Sequence, residues 1–422
     1  MKFDKWTMSL AALGVVSLAS AAKAEDTISS VSSAVAGTTL SGYVDTSAHW
    51  NIGSGNAFVP GYAFNTPSKA DGFNLNAVKV TLEKALDESE WASGYRFDAM
   101  FGPDANFLGT SALGGLIGSD FAIRQAYVAL RTPIGNGIDW KIGVFDTVVG
   151  YESIDAVNNP NYTRSYGFSL EPTTHTGILG TYRVSEALSI AAGVANTTGP
   201  IIGGANIGGS LVGVSTGKAH PYRAESYKTY MGSISLTAPE SWGFLSGSTL
   251  YGGVVNGFDG GAVTVGNRLT LFAGATIATP VSGLRLGVAY DYLGVPHQTL
   301  AGQEVSASWA NALGTYVSFQ ATEKLSLHGR GEYVWAEAGD GMALTGTGQY
   351  DLWKNVLSRL EIRWDRSLDG SRPYGGRQQP AGDLGGDIGF INAGLGGPGI
   401  FGSDAGGQRN AVLIAANIIY RF

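Results

Sequence analysis

Charged side chains occupy every second position in several short stretches of this sequence, and that spacing is the first indication of its chemistry. In NVLSRLEIRWDR, the charged residues Arg359, Glu361 and Arg363 alternate with apolar residues such as Leu360 and Ile362. Alternation with a period of two places the charges on one face of a β-strand and the apolar side chains on the other. A face that carries both signs of charge can orient polar solutes that pass along it.

The same alternation recurs in GYRFDAMF, GIDWKIGVFD and GLRLGVAYDY. If these strands surround water, their charged side chains line a pore, and the mixed signs predict modest rather than strict ion selectivity. The alternative is that the charges only hydrate a wide lumen or pair across neighbouring strands. The side chains that we expect to line the pore are Arg96, Asp98, Lys141, Arg285, Arg330, Glu332, Arg359, Glu361 and Arg363.

Other chemistries find little support in the sequence. A barrel lipase would need one of the five histidines beside a serine and an orienting polar group, and no local motif provides this. His328 shares its parity with Arg330 and Glu332, which predicts a polar lumen residue, and His175 is expected to make a structural hydrogen bond. Cysteine is absent, as are HExxH and GxGxxG motifs. We therefore predict no enzymatic activity, no catalytic residue, no metal and no cofactor, with a barrel lipase as the weakest alternative.

The composition predicts a single β-barrel rather than several soluble domains. Glycine accounts for 63 of 422 residues and charged residues for only 14%, whereas soluble domains average about 25% charged residues. After the N-terminal stretch no run of about 18 apolar residues occurs, which argues against a helical membrane protein.

Residues 1–24 have the pattern of a secretory signal peptide, with a basic start, an apolar stretch and small residues at the end. Cleavage before Glu25 would remove three of 27 basic and one of 34 acidic residues, so 24 − 33 leaves a net charge of −9. This charge argues against nucleic acid as a partner. We expect a short periplasmic segment at residues 25–38 and a transmembrane barrel domain at residues 39–422.

The pattern of strands predicts an all-β, transmembrane antiparallel β-barrel. Its sixteen candidate strands make an even number, as bacterial single-chain barrels require, although fourteen or eighteen strands stay open. The candidate strands begin near residues 39, 72, 91, 120, 137, 174, 187, 226, 246, 266, 283, 307, 325, 344, 355 and 409.

Connections between the candidate strands alternate in length. Short turns such as TPIGNG and TPVSG alternate with long stretches such as residues 102–119, 199–225 and 367–408. Bacterial barrels have short periplasmic turns and longer external loops, which indicates a protein in contact with the lipid of the bacterial outer membrane. The long external loops also leave a surface adhesin or a purely structural barrel as an alternative function.

One connection differs from the glycine-rich loops. Residues 151–172 place four aromatic side chains among charged ones, and apolar surface is costly to expose to water. We predict that this segment turns at residues 158–160, folds into the barrel and narrows it. The charged side chains expected to face the basic wall across this constriction are Glu152, Asp155, Arg164 and Glu171.

The chain ends in RNAVLIAANIIYRF, an alternating segment that finishes on Phe422. This ending is similar to the terminal strand signal that the barrel-assembly machinery recognises in outer-membrane proteins.

Several segments resemble a known family, among them GYRFDAMFGPDA, GVFDTVVGYE, NPNYTRSYGFSLEPTTHTG and LEIRWDRS. Together they resemble the outer-membrane β-barrel porins of the OmpL-like group, from about Ser41 to Phe422. The resemblance implies a channel through which small hydrophilic solutes and ions diffuse passively, and it brings no catalytic residues. The solute and the presence of a homo-oligomer are left open.

Overall fold

The computed structural model describes residues 37–422 except residues 54, 67–68, 70, 109–119, 197, 200–227, 261–264, 301–302, 377–403 and 405. The predicted signal peptide lies outside the described residues, as do most of residues 25–38 and most of the predicted loops 199–225 and 367–408. Signal cleavage and the roles of those loops stay predictions.

Sixteen long strands form a closed antiparallel barrel, in which each strand is hydrogen-bonded to two neighbours. The predicted fold class and the count of sixteen are therefore confirmed. The barrel strands are β1 (Thr39–Ile52), β2 (Gly72–Lys84), β3 (Ser93–Phe101), β4 (Phe121–Thr132), β5 (Ile138–Asp146), β6 (Thr174–Arg183), β7 (Leu188–Ala195), β8 (Thr229–Thr237), β9 (Thr249–Gly260), β10 (Val265–Ala278), β11 (Leu284–Val295), β14 (Ser308–Gln320), β15 (Leu325–Ala336), β16 (Gly339–Trp353), β17 (Val356–Ser367) and β18 (Asn410–Arg421).

Few other regular elements occur in the described residues. A small hairpin of β12 (Gln298–Leu300) and β13 (Gln303–Val305) lies in the connection between β11 and β14. The two short α-helices are α1 (Pro103–Leu108) and α2 (Tyr166–Leu170). In this described part of the chain, no helix has the length and apolar character needed to cross a membrane.

The first and last strands close the barrel. β1 pairs with β18 in antiparallel register, with Val44 opposite Tyr420. The pairing extends to the end of the chain, because Gly42 N donates to Phe422 O at 2.9 Å and Phe422 N donates to Gly42 O at 3.0 Å. A Cβ at Gly42 would lie 2.6 Å from the Phe422 ring, so this close approach needs glycine.

The alternation within each strand separates an outer from an inner face. On β17, Leu360 and Ile362 are 65% and 54% exposed, whereas Leu357 and Glu361 are 2% and 1% exposed. The predicted phase of this strand is therefore confirmed, with its apolar side chains outward and its charged side chains inward.

The two ends of the barrel differ in their connections, as predicted, except that two connections on the long side are short and that eleven residues, 238–248, join β8 to β9 on the short side. One end carries short turns such as residues 133–137 and 321–324, and the other end carries long connections such as residues 147–173. On the long side, only four residues separate β9 from β10, and only two separate β15 from β16. At the second of these connections β15 and β16 stay paired up to Ala336 and Gly339, and Gly339 has a φ of 143°, which glycine tolerates in a tight reversal. The predicted start of this strand near residue 344 was therefore too late.

Candidate pore constriction

Residues 147–173, called the inner segment below, connect β5 to β6 and fold inside the barrel. The two ends of the segment meet, because Thr147 N donates to Thr173 O at 3.1 Å. Between these ends, the segment contacts inward-facing side chains of β1, β2, β4, β11, β15, β16 and β17. A segment that touches strands around most of the barrel crosses the lumen.

Local hydrogen bonds fix the shape of the inner segment. The side chain of Asn159 accepts from Ser153 N at 2.7 Å and donates to Asp155 O at 3.0 Å, and between these residues the chain turns through a 3-10 helix, Ala156–Asn158. The turn therefore lies about two residues before the predicted position, residues 158–160, because Asn159 itself is extended. Ser165 caps α2 by accepting from Phe168 N at 3.0 Å. These hydrogen bonds lie within the inner segment and fix its shape in addition to its contacts with the barrel wall.

One ionic cluster holds the inner segment against β15 and β17. Arg330 donates to Glu152 at 2.8 Å and to its own neighbour on the strand, Glu332, at 2.8 Å. Glu332 also accepts from Tyr166 N at 2.6 Å, and the Tyr166 hydroxyl donates to Asp365 at 2.8 Å. Since these groups are buried, each charge needs the partner that it has here.

A second ionic cluster holds the inner segment against β2 and β4. Asp155 lies 2.8 Å from Lys79 and 3.4 Å from Arg124. Arg124 also pairs with Asp98 at 2.9 Å and with Asp146 at 2.8 Å. Burial alone would raise the pKa of Asp155, but the charges of Arg124 and Lys79 outweigh this and hold that pKa below its ordinary value.

The tip of the inner segment is bound through its backbone by β17. Arg359 donates to Ala156 O at 3.1 Å and to Asn159 O. Glu361 accepts from Tyr162 N at 2.6 Å and from Thr163 N at 3.0 Å. Arg359 and Glu361 thus provide hydrogen-bond partners for buried backbone groups of the inner segment, and these bonds do not depend on which side chains the segment carries.

Further packing joins the inner segment to β14, β11 and β9. The ring of Tyr151 stacks on Tyr316 with centroids 4.1 Å apart. Its hydroxyl occupies the space beside Gly287, where a Cβ would lie only 1.9 Å away. Val149 packs in the same way over Gly253, where a Cβ would meet its side chain at 2.8 Å. Glycine on the wall therefore makes room for the inner segment.

The connection between β1 and β2 also packs against the inner segment and the wall beside it. The Arg363 guanidinium lies 3.9 Å from the ring centroid of Tyr62, and Phe64 lies against Phe168 with centroids 6.0 Å apart. A small cavity remains beside them, bounded by His49 and Tyr162 among other residues.

Two of the four predicted constriction residues face the basic wall, and two have other partners. Glu152 and Asp155 bind basic side chains as described above. Arg164 instead donates to Ser153 O at 3.0 Å and Ile154 O at 2.9 Å, inside its own segment. Glu171 is hydrogen-bonded to Asp291 of β11, so it faces another carboxyl group. Burial and the neighbouring Asp291 raise the pKa of Glu171 well above its ordinary range.

The residues predicted to line the pore all lie on inward faces, but they differ in accessibility. The inward position is a finding, whereas contact with permeating solutes stays a prediction. The three that remain partly accessible are Arg96, Lys141 and Arg285. The six that are buried are Asp98, Arg330, Glu332, Arg359, Glu361 and Arg363.

Sequence reasoning did not find Lys79, Arg124 or Tyr62 as part of this site. Lys79 alternates with apolar residues in NAVKVTLEK, so its inward position could have been read from the sequence. Arg124 lies where β4 shifts register against β3, which breaks the alternation on which such a reading depends. Tyr62 belongs to a loop, where alternation gives no information.

His328 and His175 each lie beside a hydroxyl group. His328 Nδ1 lies 2.9 Å from Ser318 Oγ, but its Nε2 has no hydrogen-bond partner among the residues that the structure describes. His175 Nε2 lies 3.0 Å from Thr147 Oγ1, which confirms its predicted structural hydrogen bond. Within the described ranges, no group of three or more metal-binding side chains occurs.

Comparison with solved structures gives further porin-like barrels. The chain is similar to an anion-selective porin from Comamonas acidovorans, with 12% identity and a TM-score of 0.57 over 91% of this chain and 99% of that one. It is also similar to OmpF of Salmonella typhi in complex with daunomycin, with 11% identity and a TM-score of 0.53 over 91% and 97%. OmpT of Vibrio cholerae in its trimer form matches with 11% identity and a TM-score of 0.53 over 91% and 99%. These likenesses show the fold.

A comparison with curated protein sequences gives no match. A family model does match, over residues 37–391, and its description is "Putative beta-barrel porin-2, OmpL-like". Because this match covers most of the chain, and because the chain folds as a closed barrel of sixteen strands, the protein belongs to the OmpL-like β-barrel porins, the passive diffusion channels of the bacterial outer membrane.

Proposed function

We propose that this porin conducts small hydrophilic solutes and ions through a lumen that the inner segment narrows. The observation that carries the proposal is the attachment of residues 147–173 to both sides of the lumen, through Glu152 to Arg330 and through Asp155 to Lys79. A segment bound on both sides reduces the free cross-section, and the width and lining of a pore determine what passes.

The test is deletion of residues 153–170. The neck of the segment makes this deletion feasible, because Gly150 and Glu171 lie so close that a Cβ at Gly150 would touch the Glu171 carboxylate at 2.2 Å. We expect higher single-channel conductance in planar bilayers and faster entry of larger sugars into proteoliposomes. A matched control deletes residues 298–305, which removes the β12–β13 hairpin on the same side of the barrel. A deletion variant that folds but conducts like the parent would contradict the proposal.

We further propose that the protein has no catalytic activity. Catalysis by a histidine and a serine needs a third group that orients the imidazole. His328 approaches Ser318 through Nδ1, and its Nε2 has no partner in the described part of the chain. Phospholipase activity that disappears in Ser318→Ala would overturn this proposal.

A further inference from the structure

Most inward-facing cations in the described strands are neutralised by a carboxylate. Ion pairs of 2.8 to 3.0 Å are formed by Lys79, Arg96, Arg124, Arg330 and Arg363. Arg359 forms no such pair with any described residue, but it donates to two backbone carbonyls of the inner segment. Charges paired in this way contribute little field to the water that is left in the lumen.

Lys141 and Arg285 are different. Both are partly accessible on inward faces, and neither forms an ion pair or a hydrogen bond through its side chain with any residue that the structure describes. The ammonium of Lys141 lies over the ring of Tyr127, 5.1 Å from its centroid. Arg285 Nη1 is buried and has no hydrogen-bond acceptor among the described residues.

The two carboxylates that act on Lys141, and the one that shares an inward strand face with Arg285, already have partners. Asp146 and Glu83 act on Lys141 at longer range, but Asp146 is paired with Arg124 at 2.8 Å and Glu83 with Arg96 at 3.0 Å. Asp291 shares the inward face of β11 with Arg285, but it is hydrogen-bonded to Glu171. The two cations therefore keep an uncompensated positive charge.

Their place in the barrel puts them beside the solute path. β5 and β11 both begin at short turns, residues 133–137 and 279–283, and Lys141 and Arg285 lie in the halves of these strands that are nearer to those turns. The inner segment leaves from the other end of β5. A solute that passes the inner segment thus comes next to both cations.

We propose that Lys141 and Arg285 form an anion-binding step on the short-turn side of the inner segment, and that this channel therefore prefers small inorganic anions and carboxylates over cations. The inference rests on the proposed function, since it assumes that solutes pass the inner segment. Unpaired cations in a lumen with low-dielectric walls concentrate anions, and their effect on permeation is larger than that of paired charges.

The experiment measures the reversal potential of the refolded full-length porin in planar bilayers across a potassium chloride gradient. We expect chloride to be preferred in the parent, and we expect Lys141→Gln/Arg285→Gln to reduce the ratio of chloride to potassium permeability several-fold. Lys141→Arg/Arg285→Lys should keep the preference of the parent, because both charges remain. Each single glutamine variant should lose part of it, which provides a measurement if the double variant folds poorly.

The matched control is Lys324→Gln/Arg366→Gln, which removes the same charge from two exposed positions and should leave the ion preference of the parent. Cation preference in the parent, or an unchanged preference in the Lys141 and Arg285 variants, would overturn the inference while leaving the channel in place. Absence of any conductance in the folded parent would instead overturn the proposed function.

Discussion

A single substitution on β17 distinguishes the lipid-facing surface from the packed interior. Ile362 points outward and is 54% exposed, so arginine at this position should cost roughly 2 to 4 kcal/mol if it lies near the membrane midplane. Thr181→Arg is the control, since Thr181 lies on an inward face and is only partly buried. Urea titration of the two refolded variants measures the free energy of unfolding of each. Equal destabilisation of the two would contradict the assigned faces.

Inward-facing positions of β17 should tolerate a charged substitution less well than positions that face an open lumen. Leu357 alternates with the lipid-facing residues, and the sequence alone predicts that an arginine there would be accepted. In the structure Leu357 is 2% exposed and packs in a cluster with Tyr43, Ile154 and Ile419. We therefore expect Leu357→Arg to destabilise the protein as well, because it would bury an unpaired charge.

The Glu152–Arg330 pair gives a third prediction for individual residues. Glu152→Ala leaves the buried guanidinium of Arg330 without one of its two carboxylates, and breaking a buried pair costs on the order of 3 kcal/mol. The inner segment should be held less tightly, so single-channel recordings should show higher and noisier conductance than the parent. Glu323→Ala, at an exposed short turn, should not differ from the parent. Parental conductance in Glu152→Ala would mean that the remaining contacts suffice.

Among the elements, the inner segment contacts the wall through a group that can titrate, the carboxyl group of Glu171. Glu171 faces Asp291 on β11, with Glu152 and Tyr151 of its own segment nearby. Its pKa is raised, so the inward arrangement binds this proton more tightly than a released segment would. The resulting stability is complete below the ordinary glutamate pKa and is lost as the pH rises through the raised pKa.

The inner segment should therefore loosen at higher pH. We expect channel conductance to rise with pH and Glu171→Gln to remove most of that rise, because glutamine cannot ionise. Glu323→Gln serves as the control at an exposed position. A pH dependence that persists unchanged in Glu171→Gln would assign it to another group.

The elements were more predictable than the contacts between them. Period-two alternation is local, so fifteen of the sixteen strand starts predicted from the sequence lie within about three residues of the observed ones, while β16 begins five residues before the predicted start (344 − 339 = 5). The contacts by which the inner segment buries Arg330 and Glu361 could not be predicted in this way. Glu361 binds Thr163, which lies 198 positions earlier in the chain. The direction of Arg164 and the partner of Glu171 depend on the same long-range folding.

At the level of the whole molecule, the barrel depends on contact between its first and last strands. Phe422 extends the pairing of β18 with β1 through its backbone bonds to Gly42, and we propose that this end also addresses the protein to the barrel-assembly machinery. Deletion of Phe422 should lower the yield of folded barrel in cells more than it lowers refolding in detergent. Phe422→Tyr keeps the ring and the backbone and should behave like the parent. Equal yields of the deletion variant and the parent in cells would remove this role.

The joining of β1 to β18 also dictates when the protein can fold. Thr46 Oγ1 donates to Ile418 O across 372 positions of sequence, so the partner of the first strand is synthesised last. Until then, β1 has an unpaired edge, and such edges favour aggregation. β18 must therefore be synthesised before the barrel can close, and until then the earlier strands must be protected from other chains.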